Sequence, residues 1–292
     1  MNMWLVGAGY WGTKLIDNLK KFDITATTID IRDGQTIDNI NDQAPVMLAT
    51  PAAQHCEQAC KLLAKGYDVY VEKPMAMTLD QVEKINNCLQ PGQLLMVGHL
   101  FIHHPQLQVI SDLISAGTIG NLTHITSQRL NWGIYQTAID PLLTLATHDI
   151  SIVLALANNV VAVQSATAWN YSSNSQPDRV WFSGTCGAVT FDIDVSWHWP
   201  ARVRQTLLIG TQGQIVWDQD SNIVTVFKNK IEFGRAVIDS TPQVYQYDYE
   251  LSPLECEIEH WINCLHSRQE PKTNIESARS VAQVIDQVQK LI

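Results

Sequence analysis

The stretch MWLVGAGYWG, residues 3–12, joins a short apolar run to three glycines in the pattern Gly-x-Gly-x-x-Gly. The apolar run predicts a β-strand, and the residues that follow the glycines predict an α-helix. At such a junction Gly7 permits a tight turn, Gly9 leaves space beside the backbone, and Gly12 lets helix and strand pack closely. The N-terminus of the helix then offers backbone N–H groups to a pyrophosphate. The residues predicted to contact a dinucleotide here are Gly7, Ala8, Gly9, Tyr10, Trp11 and Gly12.

An acidic residue follows this turn at the distance typical of a dinucleotide site. The β-branched segment ITATTID predicts a second strand, which ends at Asp30. A carboxylate at this position can accept hydrogen bonds from both ribose hydroxyls of NAD, and it would repel the ribose phosphate of NADP. Asp30 therefore predicts NAD, while Arg32, two residues later, keeps NADP as the alternative.

The alternation of strand and helix patterns divides the chain into two parts. Up to residue 120, short apolar strands alternate with helical segments, a pattern typical of a parallel sheet with right-handed crossovers. Between Val160 and Phe233, strand patterns are separated by turn residues, which indicates antiparallel pairing. We predict an α/β protein with a Rossmann domain at residues 1–120 and an α+β domain with a large, mostly antiparallel open sheet at residues 121–292. The second domain would bind substrate, and its sheet would pair in a homodimer or homotetramer because an open face needs covering.

The composition excludes several classes of partner. The chain of 292 residues has 19 lysines and arginines against 29 acidic residues, a formal net charge of −10. Nucleic acids and anionic membrane surfaces select a basic patch, so neither is expected as a partner. The sequence has no apolar run of membrane-spanning length and no signal-peptide pattern, and its six cysteines lack CxxC spacing. We expect a cytoplasmic protein with reduced thiols and, since its nine histidines form no HExxH pattern, no metal site.

Polar residues follow the ends of the predicted parallel strands, where ligands of open α/β sheets bind. They are Thr50, Pro51 and His55 after the third strand, Glu72 and Lys73 after the fourth, and His99 after the fifth. Lys73 precedes a proline that restricts its backbone, and its ammonium could donate to a substrate hydroxyl or carbonyl oxygen. The alternative is a solvated loop lysine paired with Glu72. For His99 the alternatives are a place in the nicotinamide pocket and a structural role.

The segment LLTLATHDISIVLALA, residues 142–157, sets polar residues within an apolar helix pattern. The period of an α-helix places four of them on one stripe: Thr144, Thr147, His148 and Ser151. Such a stripe faces either a polar cleft or a satisfied internal network. His148 is suited to accept a proton because imidazole titrates near neutral pH, and its alternative is a buried histidine bonded to backbone. Asp149 lies off the stripe and could cap the helix, pair with a cation or touch substrate.

Further motifs follow the glycine turn in a fixed order: ATPAAQH, VEKP, VGHLFIHHP, SQRLNWG, ATHDISI, VSWHWPARVR and PLECEIEHWINCL. Together with GAGYWG, this set resembles the glucose–fructose oxidoreductase / inositol dehydrogenase (Gfo/Idh/MocA) family over nearly the whole chain. The resemblance implies a Rossmann domain that binds a nicotinamide cofactor and a second domain whose large open sheet covers the substrate. The RLNWG and LATHDISI motifs look most like members that act on nucleotide sugars. Some of these oxidise the ring 3-hydroxyl of a UDP-linked N-acetyl sugar or of its uronic acid.

The resemblance also implies roles for individual residues. It implies that Lys73 is catalytic or orients substrate, often with a cis peptide bond before Pro74, and that His148 is the acid/base. Family members commonly carry an aspartate four residues before this histidine, where the present chain has Thr144. A threonine cannot transfer a proton as a carboxylate does, but it can hydrogen-bond and orient His148. The predicted substrate contacts are Lys73, His99, Arg129, Asn131, Trp132 and His148. Trp132 could equally lie in the core.

Three functions are compatible with these residues. The leading one is NAD-dependent oxidation or reduction of a sugar ring hydroxyl, with Lys73 polarising the oxygen and His148 taking the proton. A second is redox-neutral, in which transient oxidation is followed by elimination or epimerisation. A third is a catalytically weak NAD- or sugar-binding regulator, which Thr144 favours and which the retained Lys73 and His148 oppose.

Overall fold

The computed structural model of the protein describes residues 1–133, 135–136, 139–172, 176–246 and 250–292. The chain forms two compact units. The first comprises Met1–His103 and Leu251–Gln283, and the second comprises His104–Glu250 and Val284–Ile292. These units differ from the predicted ranges 1–120 and 121–292, because residues 104–120 belong to the second unit and residues 251–283 to the first.

The first unit is built on a parallel sheet. Its strands are β1 (Asn2–Val6), β2 (Thr25–Ile29), β3 (Val46–Leu48), β4 (Val69–Glu72) and β5 (Leu95–Gly98). The helices between them are α1 (Tyr10–Lys20), α2 (Ala52–Ala64) and α3 (Leu79–Cys88). The strand order β2–β1–β3–β4–β5 confirms the predicted parallel sheet. It also places the switch point of the sheet between β1 and β3, where ligands of such sheets bind.

The second unit is built on an eight-stranded sheet in which β6 and β9 run parallel and the other neighbours antiparallel. Its strands are β6 (Leu122–Trp132), β7 (Val161–Trp169), β8 (Arg179–Cys186), β9 (Val189–Ser196), β10 (His198–Gly210), β11 (Gln214–Asp218), β12 (Ile223–Phe227) and β15 (Gln243–Gln246). A separate ribbon is formed by β13 (Lys230–Glu232) and β14 (Arg235–Val237). The strand order is β15–β12–β11–β10–β6–β9–β8–β7, which confirms the predicted large, mostly antiparallel sheet.

The helices of the second unit are α4 (Pro105–Ser115) and α5 (Thr147–Ala157), and α5 follows a π-helical turn at Leu142–Ala146. The prediction of one continuous α-helix over residues 142–157 is therefore wrong in its first turn. Asp140 lies at the start of this turn, and its Oδ1 accepts a hydrogen bond from the backbone N–H of Leu143 at 2.9 Å. Its carbonyl oxygen also accepts from the hydroxyl of Thr144 at 2.9 Å. Such side-chain bonds compete with the regular α-helical pattern.

The C-terminal helices are α6 (Pro253–Ser267) and α7 (Ile275–Gln289). Within the first unit, the sheet face that carries Leu5 of β1 packs against α1 and against Trp261 of α6. A parallel sheet needs cover on both faces, and full burial of a large aromatic side chain contributes about 1.5–3 kcal/mol. This burial is the physical reason why residues 251–283 return to the first unit.

No helix among the described residues is long and apolar enough to cross a membrane. The six cysteines all lie in the described part of the chain, and each is a free thiol. The structure therefore has the free thiols that the cysteine spacing predicted.

Candidate active site

The glycine turn has the geometry that a dinucleotide requires. Gly7 has a φ of +97°, a left-handed conformation that favours glycine, and a Cβ there would lie 2.7 Å from the carbonyl oxygen of Ala49. A Cβ at Gly12 would collide with the carbonyl oxygen of Gly7, so α1 and β1 pack at a distance that excludes any side chain. A Cβ at Gly9 would meet no atom of a described residue within 4 Å. The first and third glycines therefore serve the fold, and the second leaves space for a ligand.

The first turn of α1 is suited to an anion. Gly9 is the N-cap residue and has no side chain, so none of its own atoms can cap the N–H groups that open the helix. These groups and the helix dipole together favour a negatively charged ligand. Tyr10, which opens the helix, is 74% exposed. The turn therefore fits the pyrophosphate of a dinucleotide.

Asp30 lies directly after β2, as predicted, and its side chain is tied to the glycine turn. Its Oδ2 accepts hydrogen bonds from the backbone N–H of Ala8 at 2.9 Å and from Arg32 Nη2 at 2.6 Å. Its Oδ1 accepts from Arg32 Nε at 2.8 Å. The Arg32 guanidinium holds the pKa of the Asp30 carboxyl well below its usual range. Asp30 is therefore a fixed anion beside the turn, as recognition of ribose hydroxyls requires.

A cavity of about 610 Å³ joins these groups within the first unit. Its lining includes Gly7, Gly9, Asp30, Arg32, Thr50 and Pro51. The apolar side chains of Val6, Ile29 and Ile37 complete one wall. A carboxylate, an open glycine backbone and an apolar wall are the features of a site for an adenosine and its pyrophosphate, so these residues fit NAD.

His55 connects the ends of two strands rather than pointing into this cavity. Its Nε2 lies 2.8 Å from the carbonyl oxygen of Thr50, and its Nδ1 lies 2.9 Å from that of Pro74. The side chain is 1% exposed, and burial lowers its pKa. The hydroxyl of Thr50 donates to Gln58 Oε1 at 2.6 Å. His55 therefore fixes the loop after β3 against the loop after β4, and a direct contact with the cofactor stays a prediction.

Glu72 ends β4, and Lys73 is the next residue. The Lys73–Pro74 peptide bond is cis, as the family resemblance implied. Lys73 is half-buried. Glu72 is 6% exposed and accepts hydrogen bonds from the indole N–H of Trp11, from Tyr70 Oη at 2.9 Å and from the backbone N–H of Lys73 at 3.2 Å. This carboxylate thereby holds the backbone from which the Lys73 side chain projects.

His99 follows β5 and is 2% exposed. Burial, with a smaller effect from the charge of Lys73, lowers the pKa of His99 to about 4. Neither ring nitrogen has a hydrogen-bond partner among the residues that the structure describes. Buried ring nitrogens are normally paired, so a bound ligand or water is the expected partner, and His99 and Lys73 form one polar end of the first unit.

The polar residues of the second unit separate into two groups. Arg129 is 2% exposed, and its Nε and Nη2 donate to the two carboxylate oxygens of Asp149 at 2.7 and 3.0 Å. Its Nη2 also donates to Gln219 Oε1 at 2.9 Å. Among the roles left open for Asp149, the structure selects pairing with a cation. The Arg129 guanidinium is engaged inside the unit, so its predicted contact with substrate gains no support from this geometry.

Asn131 and Trp132 end β6. Asn131 Oδ1 accepts a hydrogen bond from Arg204 Nη2 at 2.9 Å. Trp132 is 69% exposed, and its ring centroid lies 4.6 Å from that of His198. Trp132 therefore lies outside the core, and its exposed ring is of the kind that packs against a sugar face.

His148 lies in the first turn of α5 and is half-buried, whereas Thr144, Thr147 and Ser151 are buried. The hydroxyl of Ser151 donates to the carbonyl oxygen of His148 at 2.7 Å. The hydroxyl of Thr144 donates to backbone, as described above, and orientation of His148 by Thr144 stays a prediction. The predicted polar stripe is thus mostly internal, with His148 as its more accessible member.

The buried acids that were not predicted as site residues include Glu257 of α6, which is 0% exposed, and Asp140, which is 7% exposed. The PLECEIEHW segment alternates acids with apolar residues, so sequence periodicity could not single out Glu257 among its neighbours. Asp140 precedes a helix pattern and reads as an ordinary helix-start residue.

One segment of the first unit matches the profile of a known protein family. The profile of the Gfo/Idh/MocA oxidoreductase family, which describes an NAD-binding Rossmann fold, matches residues 20–99. The match lies within the first unit and covers about a quarter of the chain, so it shows that this segment is similar to the family.

Two curated relatives cover part of the chain. The 2,7-anhydro-N-acetylneuraminate hydratase of Mediterraneibacter gnavus is 29% identical over 153 residues, which are 46% of this chain and 41% of that protein. The dTDP-3,4-didehydro-2,6-dideoxy-alpha-D-glucose 3-reductase of Actinomadura kijaniata is 32% identical over 83 residues, 28% of this chain and 25% of that protein. Each match therefore spans less than half of the relative's length.

Solved structures share the whole fold. The UDP-N-acetylglucosamine 3-dehydrogenase of Acidithiobacillus ferrooxidans superposes with a TM-score of 0.86 at 16% identity, over 100% of this chain and 97% of that one. A levoglucosan dehydrogenase in complex with NADH and levoglucosan superposes with a TM-score of 0.84 at 15% identity, over 99% and 96%. At such identities the likeness shows the fold alone.

Gly12 and Gly9 give a matched pair of variants. We expect Gly12→Ala to lower the free energy of unfolding by about 1–3 kcal/mol, because its methyl group collides with the Gly7 backbone. We expect Gly9→Ala to keep its stability within about 0.5 kcal/mol but to bind NAD about tenfold or more weakly, since its methyl group occupies the open side of the turn. Thermal unfolding and titration of NADH fluorescence measure the two effects. Equal destabilisation of both variants would contradict the distinction.

Proposed function

We propose that this protein is an NAD-dependent oxidoreductase that acts on a ring hydroxyl of a sugar, in particular of a nucleotide-linked N-acetyl sugar or its uronate. The proposal rests on the arrangement of residues in the first unit. The open glycine turn and the Asp30 anion share one cavity there, and Lys73 and His99 directly follow strands β4 and β5. The names of the similar proteins support the substrate class, because they include a nucleotide-sugar dehydrogenase and a nucleotide-sugar reductase.

In this proposal bound nicotinamide supplies the hydride acceptor, and residues of the chain handle the oxygen and its proton. The Lys73 ammonium donates a hydrogen bond to the substrate oxygen and stabilises its negative charge as it develops. The imidazole of His148 accepts the hydroxyl proton while the C–H bond to the same carbon breaks and the carbonyl forms. Thr144 and water assist the orientation of His148, and Asn131 and the exposed ring of Trp132 contact the sugar.

The activity test needs the purified protein, excess NAD and a panel of UDP- and dTDP-sugars, sugar uronates and free polyols. We expect the near-ultraviolet absorbance of reduced nicotinamide to rise with at least one nucleotide sugar. A rise that stops at one equivalent per site would indicate tightly held NADH that awaits a second substrate. Binding of NAD without absorbance change for any compound would overturn net dehydrogenation.

A redox-neutral reaction is the second candidate. Its specific support is the hydratase of Mediterraneibacter gnavus, the curated relative with the longer of the two matched segments described above. In such a reaction the cofactor is regenerated within each turnover, so absorbance would stay constant while the sugar changes. Mass spectrometry of the same incubations separates the two candidates, because elimination or addition of water changes the substrate mass.

We propose NAD as the cofactor, with NADP as the alternative. Replacement of Asp30 distinguishes the two. We expect Asp30→Ala to weaken NAD binding about 10- to 100-fold, because a charged acceptor of ribose hydroxyls is lost. NADP binding should weaken less or improve, since Arg32 loses its carboxylate partner and becomes available to a phosphate. The matched control is Asp33→Ala, an exposed carboxylate on the same segment. Equal losses for NAD and NADP in Asp30→Ala would contradict the proposed selectivity.

We also propose that the sheet of the second unit pairs with a second copy of the chain. Along β8, Val180 and Phe182 are buried, whereas the alternate residues Arg179 and Trp181 are partly exposed. This alternation leaves an aromatic, partly apolar face that a neighbouring copy would cover. Light scattering in solution distinguishes a dimer or tetramer from a monomer.

A further inference from the structure

A buried cluster of two acids and a tyrosine lies behind Lys73 in the first unit. Tyr70 and Glu72 belong to β4, and Glu257 belongs to α6. Tyr70 and Glu257 are 0% exposed, and Glu72 is 6% exposed. Tyr70 Oη lies 2.9 Å from Glu72 Oε1 and 3.1 Å from Glu257 Oε2. One phenol therefore bridges two buried carboxyl groups.

The number of protons in this cluster is fixed by its hydrogen bonds. A phenol has one hydrogen, so Tyr70 can donate to one carboxyl group and must accept from the other. A carboxylate cannot donate, and therefore one of the two acids carries a proton. Two unprotonated carboxylates on one buried phenol would leave an unsatisfied contact between like charges.

The donors around the two acids identify the protonated one. Glu72 accepts from the indole N–H of Trp11 and from the backbone N–H of Lys73, and the positive charge of the Lys73 side chain lies close by. Glu257 has Tyr70 as its bonded neighbour, and its Oε1 has no hydrogen-bond partner among the described residues. The charge is stabilised at Glu72, and the proton is stabilised at Glu257.

The electrostatics point in the same direction. Burial, followed by repulsion from Glu72, raises the pKa of Glu257 well above its usual range. Burial raises the pKa of Glu72 as well, but Trp11, Lys73 and Tyr70 oppose that shift. The titratable groups that act on Glu257 are thus Glu72 and Tyr70, both from β4.

We propose that Glu257 is a neutral carboxylic acid that donates to Tyr70, which in turn donates to Glu72, so that Glu72 is held as an anion beneath Lys73. Glu257 is thereby a positioning residue for the Lys73 backbone. The part of this inference that concerns catalysis rests on the proposed function, whereas the proton on Glu257 does not.

Gly98 of β5 provides the space for this chain of hydrogen bonds. A Cβ at Gly98 would collide with Tyr70 Oη and would lie 3.1 Å from both carboxylate oxygens of Glu72. On the other side, the Tyr70 ring packs against Trp261, with ring centroids 6.4 Å apart. The phenol is therefore fixed between β5 and α6, in position to bridge the two acids.

Infrared spectroscopy of the 292-residue chain at neutral pH tests the proton directly. We expect the carbonyl band of a protonated carboxylic acid in the wild-type protein, and we expect Glu257→Gln to remove it. The matched control is Glu259→Gln, an exposed glutamate on the same helix, which should keep the band. Glutamate labelled with carbon-13 should shift the band in the wild-type protein, so the assignment does not depend on a variant that folds. A wild-type protein without the band, or a band that survives Glu257→Gln, would overturn the inference.

Two variants test the positioning role. Glu257→Gln retains an N–H donor for Tyr70, so we expect a kcat close to that of the wild type. Tyr70→Phe removes both bonds of the phenol, and we expect the carbonyl band to shift and kcat to fall about three- to tenfold, with little change in the KM for NAD. A structural role alone would lower the melting temperature of Tyr70→Phe without the change in kcat, and that result would overturn positioning. Since the band requires no substrate, it reports on Glu257 even if no compound is turned over.

Discussion

Replacement of Lys73 by alanine is expected to lower kcat about 100- to 1,000-fold, because the developing charge on the substrate oxygen loses its preorganised ammonium donor. Lys73 is fixed by the bond from its backbone N–H to Glu72 and is half-buried, so solvent cannot replace the lost donor with equal geometry. Affinity for NAD should change only a few-fold, since the glycine turn and Asp30 are untouched. Steady-state kinetics with the substrate found in the panel, and NADH fluorescence titration, measure the two quantities.

The matched control for Lys73→Ala is Lys84→Ala, which removes an exposed lysine from α3 of the same unit. It should leave both kcat and NAD affinity unchanged. Retention of wild-type kcat in Lys73→Ala would contradict the catalytic assignment and favour the earlier alternative of a loop lysine. Loss of NAD affinity in proportion to kcat would instead assign Lys73 to cofactor binding.

Replacement of His148 by asparagine is expected to lower kcat about 100- to 10,000-fold at neutral pH, the range for removal of a general acid or base. Asparagine retains polarity and approximate size but cannot accept the hydroxyl proton. The decline of kcat on the acid side, where a protonated imidazole could no longer act as base, should disappear in the variant. The measurement is the pH dependence of kcat for both proteins.

The control for His148→Asn is His266→Asn, an exposed histidine of α6. It should leave the pH profile unchanged. A His148→Asn protein with the wild-type profile and a lowered melting temperature would show that His148 serves the packing of α5. Such a result would also favour the regulatory alternative that Thr144 suggested.

The glycine turn and the acid that follows β2 could be predicted because their geometry is local. The roles of Gly7, Gly12 and Asp30 depend on turn geometry and on the spacing of one β–α–β unit, which neighbouring residues determine. The structure accordingly places Gly7 and Asp30 around one cavity and Gly12 at the contact between α1 and β1. The parallel and antiparallel sheets could be predicted for a similar reason, since each depends on strand patterns and on the length of the connections.

The roles of other residues depended on partners distant in the chain. Arg129 was predicted to contact substrate, yet its guanidinium pairs with Asp149. Neither the β6 nor the α5 sequence carries a signature of that pairing. Trp132 could be read as core or surface until the exposure of its ring was known. The turn at Leu142–Ala146 is π-helical although the apolar period of the segment was regular.

The sequence by itself determined the dinucleotide turn, the acid that follows it, the parallel sheet and the candidate pair Lys73 and His148, because these follow from local backbone geometry and residue chemistry. Only the tertiary structure decided that α6 completes the first unit and that Glu257 meets Tyr70 there. The physical reason is that burial and proton sharing arise between segments far apart in the chain. Their pairing is fixed by which apolar faces must be covered, a property of the whole fold rather than of any one segment.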